Sequence, residues 1–427
     1  MQIDRETGMV RLVGWPKGVD NRRSDHDIPD DTLRDGVNID VLSSGKVRLR
    51  NGLTQRVADS NAHSGFSDGT KVVWATPTAL KVADANFDSA TVLTSTLLAK
   101  PLSYVALHGE IYFSNEDING KILADGTYEA WGITPPAAPP TCTPVTVGTR
   151  RYQVTCTFVT ATGKESGAPI GAEVLCGDIP SIMVTAIPQS GDSRVVATRL
   201  YVTNIDGAVF YRAYDVPAGV TAWTLTGFFA NGATLKTQFM EPPPPGQLLE
   251  YFDGALYVAS GSTVWRTQPL RYDLCRFDED FFMYPERVTL LKAVDDGLYV
   301  GAEKTWFLSA APALTGASTG SRSITDNAHQ REVFPYGAVE RAACSLPGST
   351  DVLWMSARGV ARGSAGGKAV NLTEAQVAVD SFDSGCLGVI ERDGHKAAVA
   401  IMQGEDAGVL VAEDYVEAEA LRISEVI

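Results

Sequence analysis

The sequence contains no long hydrophobic run and few of the residues on which most enzymes rely. No stretch of about 18 apolar residues occurs, so no transmembrane helix and no stable membrane insertion are predicted. The first residues lack a basic stretch followed by an apolar one, so we expect no secretion signal. Only five histidines are present, in no zinc-hydrolase spacing, and nucleophile-elbow, P-loop and dinucleotide-binding motifs are absent. Neither an enzyme nor a cofactor is predicted.

Paired cysteine motifs are missing as well. The cysteines form no CxxC pair, and we expect buried, reduced thiols of a cytosol-assembled protein rather than a disulfide framework or a zinc site. The six residues are Cys142, Cys156, Cys176, Cys275, Cys344 and Cys386.

Basic residues are scarce relative to acidic ones. The chain has 36 Lys and Arg against 51 Asp and Glu, a net charge of −15. Tight binding to nucleic acid needs a basic face that displaces counterions, so this chain is not expected to grip DNA. An acidic surface instead suits DNA that must slide past without sticking.

Glycines and prolines separate many short apolar runs, which predicts an all-β protein. The length favours two to three domains. Two proline clusters, residues 135–140 and 242–245, have the composition of stiff linkers and enclose about 100 residues.

The enclosed segment has the pattern of a β-sandwich. Tyr152, Val154, Cys156 and Phe158 alternate with polar residues, which predicts a half-buried strand. About seven short strands of this kind favour an immunoglobulin-like sandwich. The segment also resembles the fibronectin type III family in its Tyr-x-Val-Thr strand, Gly-x-Glu-Ser turn and Arg-Leu-Tyr strand.

The flanking sequence repeats a glycine followed by an aromatic or β-branched strand. Once the insert is subtracted, the period is about 40–50 residues, which is typical of a β-propeller with roughly six blades. A generic sandwich with coincidental hairpins is the alternative. The repeated glycines are Gly69, Gly109, Gly254, Gly297, Gly348 and Gly394.

These patterns predict four parts. Residues 1–57 form an N-terminal docking segment with a strand that closes the ring, residues 58–136 and 246–427 form the propeller, and residues 137–245 form the insert.

Two acidic stretches offer alternative chemistry. Residues 278–280, Asp-Glu-Asp, provide carboxylates like those of propeller glycoside hydrolases, but we favour an inter-blade loop whose acids face water. Residues 25–31 resemble part of a calcium loop but lack its central Gly and final Glu, so we interpret them as a solvated acidic turn and predict no metal site.

Two further segments are candidate functional regions. The long, small-residue stretch 310–330 is a candidate gate loop, with Arg322 and Asp326 pairing between neighbouring subunits; an outer surface loop is the alternative. Basic residues concentrate near the N-terminus, where an interface to acidic partners and an exposed strand face are equally consistent. The candidate interface residues are Arg22, Arg23, Arg34, Lys46, Arg48 and Arg50.

Residues 31–54 resemble a recurring opening of bacteriophage tail proteins, Leu-Arg-Asp-Ala-x-Asn-x-Asp followed by Gly-x-x-x-Arg-Arg-x-Gly. Gly36 replaces the usual Ala, and Leu49 separates Arg48 from Arg50. Further segments match in order, and the set is similar to the tail nozzle, or tail tubular protein B-like, family of short-tailed phages. Those segments are residues 251–259, 264–272, 282–285, 294–301, 304–308, 333–339, 352–360 and 366–373.

The resemblance implies a structural role in the virion tail. Family members carry a propeller and form a hexameric ring below the portal and adaptor, which retains packaged double-stranded DNA and forms its exit channel. Six chains of this charge would carry roughly −90, which suits a wall that DNA slides past without specific binding. The implied partners are the chain itself, the tail adaptor or connector and, through the insert, a tail fibre or spike. A receptor-binding or fibre-anchoring protein is the main alternative, and a glycan-active enzyme is a third.

Overall fold

A computed structural model shows a protein built of short antiparallel strands, which confirms the all-β prediction. Its described part contains 36 strands and one short 3₁₀ turn, Ala365–Gly367, and no α-helix. The described residues are 2–3, 10–11, 14–24, 26–34, 39–41, 44–49, 55–88, 90–95, 98–229, 231–309, 329–376, 382–392, 395–403 and 419–422.

The N-terminal segment forms two small hairpins. Strand β1 (Gln2–Ile3) pairs with β2 (Val10–Arg11), and β3 (Ile39–Val41) pairs with β4 (Val47–Leu49). Within the described residues, none of these strands extends a later sheet. Ring closure by an N-terminal strand therefore stays a prediction.

Two four-stranded antiparallel meanders follow. The first contains β5 (His63–Ser67), β6 (Lys71–Thr76), β7 (Ala79–Asp84) and β8 (Thr91–Thr94). The second contains β9 (Ser103–Leu107), β10 (Glu110–Ser114), β11 (Asn119–Ile122) and β12 (Tyr128–Glu129).

The predicted insert is a two-sheet sandwich with a buried core between its layers, as expected. One sheet has the order β13-β16-β19 and the other the order β15-β14-β17-β18. The strands are β13 (Thr141–Pro144), β14 (Val147–Thr160), β15 (Ala172–Cys176), β16 (Ser181–Thr185), β17 (Val195–Thr203), β18 (Phe210–Pro217) and β19 (Trp223–Thr226).

The alternation predicted along β14 is correct for its inward face but incomplete for the other. Tyr152, Val154 and Cys156 are almost fully buried, as expected. Thr155 and Thr157 are buried too. Their hydroxyls donate hydrogen bonds to the Pro169 carbonyl at 2.9 Å and to Glu165 Oε1 at 2.6 Å, which satisfies them in the interior. A neighbouring loop therefore covers the face that the sequence pattern assigns to solvent.

The chain then returns to the meanders. The third contains β20 (Met240–Glu241), β21 (Leu248–Phe252), β22 (Ala255–Ser260), β23 (Thr263–Gln268), β24 (Arg271–Arg276) and β25 (Phe281–Met283). The fourth contains β26 (Leu290–Val294), β27 (Gly297–Gly301), β28 (Thr305–Ser309) and β29 (His329–Phe334).

The last two meanders are joined by a parallel pairing of β30 with β34. The fifth contains β30 (Ala338–Ser345), β31 (Val352–Ser356), β32 (Gly359–Ser364) and β33 (Lys368–Asn371). The sixth contains β34 (Ser384–Arg392), β35 (His395–Gln403) and β36 (Glu419–Arg422).

Five of the repeated glycines mark the first hairpin of a meander. Gly69, Gly109, Gly254 and Gly348 have φ between 74° and 89°, in the left-handed region that glycine adopts without strain. Gly297 instead opens β27, where an added Cβ would lie 2.5 Å from the Phe307 ring. The predicted period is thus the spacing of equivalent hairpins, with Gly394 outside the described residues.

Successive meanders pack face to face. Buried clusters join the first to the second, the second to the third, and so on to the sixth. The first strands β9, β21, β26 and β30 lie side by side along this series. The fold is therefore propeller-like with an inserted sandwich, whereas the count of about six blades stays a prediction.

Candidate functional site

The predicted N-terminal basic segment folds around one buried carboxylate. Asp20 is 1% exposed and accepts hydrogen bonds from the backbone N–H groups of Arg22 and Arg23, both at 3.2 Å. Arg23 Nε also lies 3.2 Å from its second oxygen. Asp20 thus sets the turn that presents these two arginines.

This segment contacts residues that follow β33. The Arg22 guanidinium donates to the Glu374 carbonyl, and Asn21 N donates to the Gln376 carbonyl at 3.2 Å. The Arg34 guanidinium donates to the Arg23 carbonyl. Arg22, Arg23 and Arg34 are therefore brought together beside the segment that follows β33.

The other predicted cations belong to the second N-terminal hairpin. Arg48 lies opposite Asp40 in the backbone register of β3 and β4, and Lys46 is exposed just before β4. Trp15 N donates to the Gly45 carbonyl at 2.8 Å, which ties this hairpin to the arginine turn. Arg50 lies outside the described residues.

The predicted gate-loop residues, Arg322 and Asp326, also lie outside the described residues. The described chain on either side ends at Ser309 in β28 and resumes at His329 in β29, and these two residues are paired. Strands β28 and β29 are the third and fourth of their meander, away from the side-by-side first strands. The described ends of this segment therefore lie on the third and fourth strands of the fourth meander.

Sequence reasoning missed a polar cluster among the first strands. Lys292 in β26 and Glu250 in β21 form an ion pair at 2.9 Å, and the charge of Glu250 raises the pKa of Lys292. The side chains are 28% and 16% exposed. The pair links the third meander to the fourth.

Arg341 lies in the same region, at a bulge of β30. Its φ of 66° is unusual for a residue with a side chain, and its guanidinium donates to the Pro101 carbonyl at 2.8 Å. Burial lowers the pKa of Arg341, while neighbouring Glu340 acts to raise it. Glu340 also pairs with Arg287 at 3.0 Å. Bulges are often found where a side chain is re-aimed, as here toward the start of β9.

Three buried polar atoms close to Arg341 have no protein hydrogen-bond partner. They are His63 Nε2, Tyr104 Oη and Thr289 Oγ1. Burial lowers the pKa of His63, so the imidazole is neutral at pH 7. Because buried polar groups are normally satisfied, this cluster has the chemistry to hold water or a small polar molecule.

The hydroxyl of Ser64 and the imidazole of His63 lie at a distance that would suit a nucleophile and its general base. Ser64 Oγ lies 2.9 Å from His63 Nδ1. The same oxygen accepts a hydrogen bond from Leu102 N at 2.8 Å, and Ser64 has a φ of 52° at the β5 bulge. The nearby charge of Arg341 further lowers the pKa of His63. The Ser64–Leu102 hydrogen bond therefore ties the first two meanders together. The lowered pKa makes His63 a weaker base.

An ionic junction joins the sandwich to the propeller. Glu129 accepts from Lys164 at 2.8 Å and Arg194 at 3.0 Å, and lies 3.4 Å from Lys121. Burial acts to raise the pKa of Glu129, but the Lys164 hydrogen bond and these positive charges hold it below its usual value. Arg194 also donates to the carbonyls of Ala130 and Gly132, at 2.9 and 2.6 Å. A cleft of about 430 Å³ lies beside this junction.

The alternative acidic sites have structural contacts. Asp280 is 3% exposed, and burial raises its pKa, whereas Glu279 pairs with Arg276 at 2.9 Å. Asp27 accepts from Ser24 Oγ at 2.6 Å, and Asp31 pairs with Lys17 at 2.9 Å. The expectation that the acids of residues 278–280 face water is therefore wrong for Asp280. Across the described ranges, no group of three or more metal-ligating side chains is found.

The cysteine prediction needs a correction. All six are free thiols, but only Cys156, Cys176 and Cys275 are buried, and Cys386 is exposed. Cys386 lies in β34 of the last meander, whose outer face is not covered by a further sheet in the described residues. The described residues also include no helix with the length and apolar character needed to span a bilayer.

Comparisons with known proteins do not identify a family. No family model and no curated protein matches the chain. The N-terminal domain of Nup159 has a TM-score of 0.29 at 8% identity, covering 79% of this chain and 72% of that one. BBS1N, solved in complex with ARL6DN, has a TM-score of 0.28 at 11% identity, covering 78% of this chain and 86% of that one. Kluyveromyces lactis Hsv2 has a TM-score of 0.28 at 9% identity, covering 78% of this chain and 87% of that one. Similarity this low supports no argument about function.

Proposed function

We propose that this chain is a structural subunit of the tail nozzle of a short-tailed bacteriophage. In this role it forms a ring, attaches to the tail adaptor, retains packaged DNA and provides its exit channel. It acts without a catalytic centre or cofactor and resides in the virion tail after assembly in the host cytoplasm.

The observation that carries the proposal is the ordered series of family-like segments and their place in the fold. Residues 251–259 span the β21–β22 hairpin, residues 294–301 span β26–β27, and residues 352–360 span β31–β32. The resemblance therefore follows hairpins of the third, fourth and fifth meanders in chain order. The sandwich, which the resemblance omits, lies between the second and third.

The charge distribution also supports a DNA channel. The insert, residues 137–245, has seven basic and seven acidic residues, so the entire net charge of −15 belongs to the propeller and the termini. A ring of these acidic bodies would repel phosphates and let DNA pass.

The sandwich favours a second candidate function, attachment to a fibre or a receptor. The end farthest from Glu129 exposes Val147 (87%), Ile179 (63%) and Phe228 (65%). Backbone hydrogen bonds from Gly177 N to the Thr146 carbonyl and from Gly227 N to the Pro180 carbonyl, both 3.1 Å, hold these loops together. Exposed apolar loops on a rigid scaffold are typical of binding surfaces.

The test of the proposal is binding of the purified full chain to the adaptor ring of the same phage, followed by electron microscopy. We expect the chain to add density on the tail axis below the adaptor. Density only at the tail periphery would favour the fibre or receptor function, and no binding would contradict both.

A further inference from the structure

The two sheets of the sandwich differ sharply in charge. The four-stranded sheet carries ion pairs between Arg199 and Asp215 at 2.8 Å and between Arg212 and Asp215 at 2.6 Å. The other sheet, formed by β13, β16 and β19, contains no Asp, Glu, Lys or Arg in any strand. We call it the uncharged sheet.

The outer face of the uncharged sheet carries threonine, serine and methionine side chains. Met183 in the central strand β16 is 47% exposed. It lies opposite Thr143 in β13 and Thr224 in β19, and both of these are exposed. β-branched side chains in this arrangement form a flat surface that packs well against another protein surface.

The edges of the uncharged sheet differ in their protection. β13 contains Pro144, which lacks an N–H and so limits further strand pairing. β19 has the sequence Trp-Thr-Leu-Thr, without proline or charge, and no second partner strand among the described residues. Soluble proteins usually place charges or prolines on such edges to prevent association.

We propose that the uncharged sheet is a contact surface for a second copy of this chain. The argument is electrostatic. Two copies that each carry −15 repel one another, and the repulsion is smallest where the facing module has no net charge. The sandwich is that module, and the uncharged sheet is the side of it that requires no ion to be desolvated on contact.

The position of the sandwich is consistent with this role. Its near end is fixed to the propeller through Arg194 and Lys164, so the orientation of the sheet is set before association. A surface that is already rigid loses less entropy on binding. The inference rests on the proposed function in one respect, which is the assumption that copies of this chain associate with one another.

The test is sedimentation velocity of the full chain across a range of concentrations, with electron microscopy of the same samples. The variants are Met183→Lys and Thr224→Glu, which place a charge on the exposed face and leave the sandwich core unchanged. Leu175→Lys is the matched control, because Leu175 is 49% exposed on the other sheet. Near-ultraviolet circular dichroism checks that each variant is folded.

We expect the control to associate like the wild type. The two face variants should associate only at concentrations at least about tenfold higher, because burying an unpaired charge costs more than the roughly 1.4 kcal/mol that a factor of ten in affinity represents. Unchanged association of both variants would overturn the inference, as would equal loss in the control.

The outcomes also separate this inference from the proposed function. Rings in the wild type and in both face variants would refute the contact surface and leave the nozzle proposal in place. Association without rings that the face variants abolish would support the surface and contradict the nozzle. A monomeric wild type that binds a different protein through Met183 would overturn the inference.

Discussion

At the scale of single residues, the most informative features are those that the first strands bring together. Lys292 and Glu250 form an ion pair between two meanders, and Arg341 reaches from a bulge in β30 to the Pro101 carbonyl. Such residues fix the relative positions of sheets that share no hydrogen-bonded strand. They have no signature in the sequence, because each pair is formed by distant strands.

The first prediction concerns this ion pair. Glu250→Gln should lower the free energy of unfolding by about 1–3 kcal/mol, because it leaves the partly buried Lys292 ammonium without its counter-charge. Glu332→Gln is the control, since the Lys304–Glu332 pair has a similar 3.0 Å distance but is over 40% exposed on both sides. The control should change stability by less than about 1 kcal/mol. Urea denaturation measures both, and equal effects would contradict the assigned role.

The same pair predicts a pH dependence. Glu250 raises the pKa of Lys292 in the folded protein, so its stabilisation is complete below the unfolded-state lysine pKa, about 10.4, and is lost as pH rises through the higher folded-state value. The difference in unfolding free energy between wild type and Glu250→Gln should thus be constant near pH 7–9 and decrease above about 10.4. A difference that persists undiminished at higher pH would contradict this prediction.

At the scale of elements, the junction between sandwich and propeller depends on a few long side chains. Arg194→Ala should remove the hydrogen bonds to the Ala130 and Gly132 carbonyls without altering the sandwich core. We expect faster hydrogen exchange of the backbone amides around residues 130–134, with little change inside β14 or β17. Arg150→Ala is the control, because Arg150 pairs with Asp178 at the opposite end. Unchanged exchange at the junction in Arg194→Ala would show that the linkers alone hold the sandwich.

Much of the element order could be predicted from the sequence, and the reason is local. Glycine at a left-handed turn position followed by a β-branched strand is visible in Gly69, Gly109, Gly254 and Gly348, and each marks a first hairpin. Proline clusters likewise bound the insert. The burial of Thr155 and Thr157 could not be predicted, because it depends on the loop that contains Glu165 and Pro169. The burial of Asp280 could not be predicted either, because it depends on hydrogen bonds from Gln268 and the Arg276 backbone. The Glu129 junction and the Arg341 cluster were missed for the same reason.

At the scale of the whole molecule, residues 1–57, with ten basic and nine acidic residues, contrast with an acidic remainder. Arg22 and Asn21 join this segment to the residues that follow β33. Reversing Arg48 and Arg50 to Glu should leave the propeller folded but block ring formation or incorporation into virions, since removing one partner of an interface charge pair costs roughly 2–5 kcal/mol. Incorporation is measured by the protein content of purified particles.

The matched control for this double variant reverses Arg271 and Lys304, which lie on the propeller and change the net charge equally. Normal incorporation of the N-terminal variant, or equal loss in the control, would remove the case for a specific docking segment.

A further prediction concerns the loop that connects β28 to β29. If it narrows the ring channel, deletion of residues 316–326, which includes Arg322, should make assembled particles lose DNA faster. The physical reason is that a segment of small residues buries little and can be pushed aside by DNA. DNA release on heating measures the effect. Normal retention and a normal ejection rate would indicate an outer surface loop.

The central claim is that this chain assembles into a ring, and its most direct test is electron microscopy of the purified full-length protein combined with native mass measurement. The account predicts ring-shaped particles with about sixfold symmetry, an open centre and a mass close to six times 45.6 kDa. Particles that stay at 45.6 kDa at high concentration and in the presence of the adaptor would contradict it.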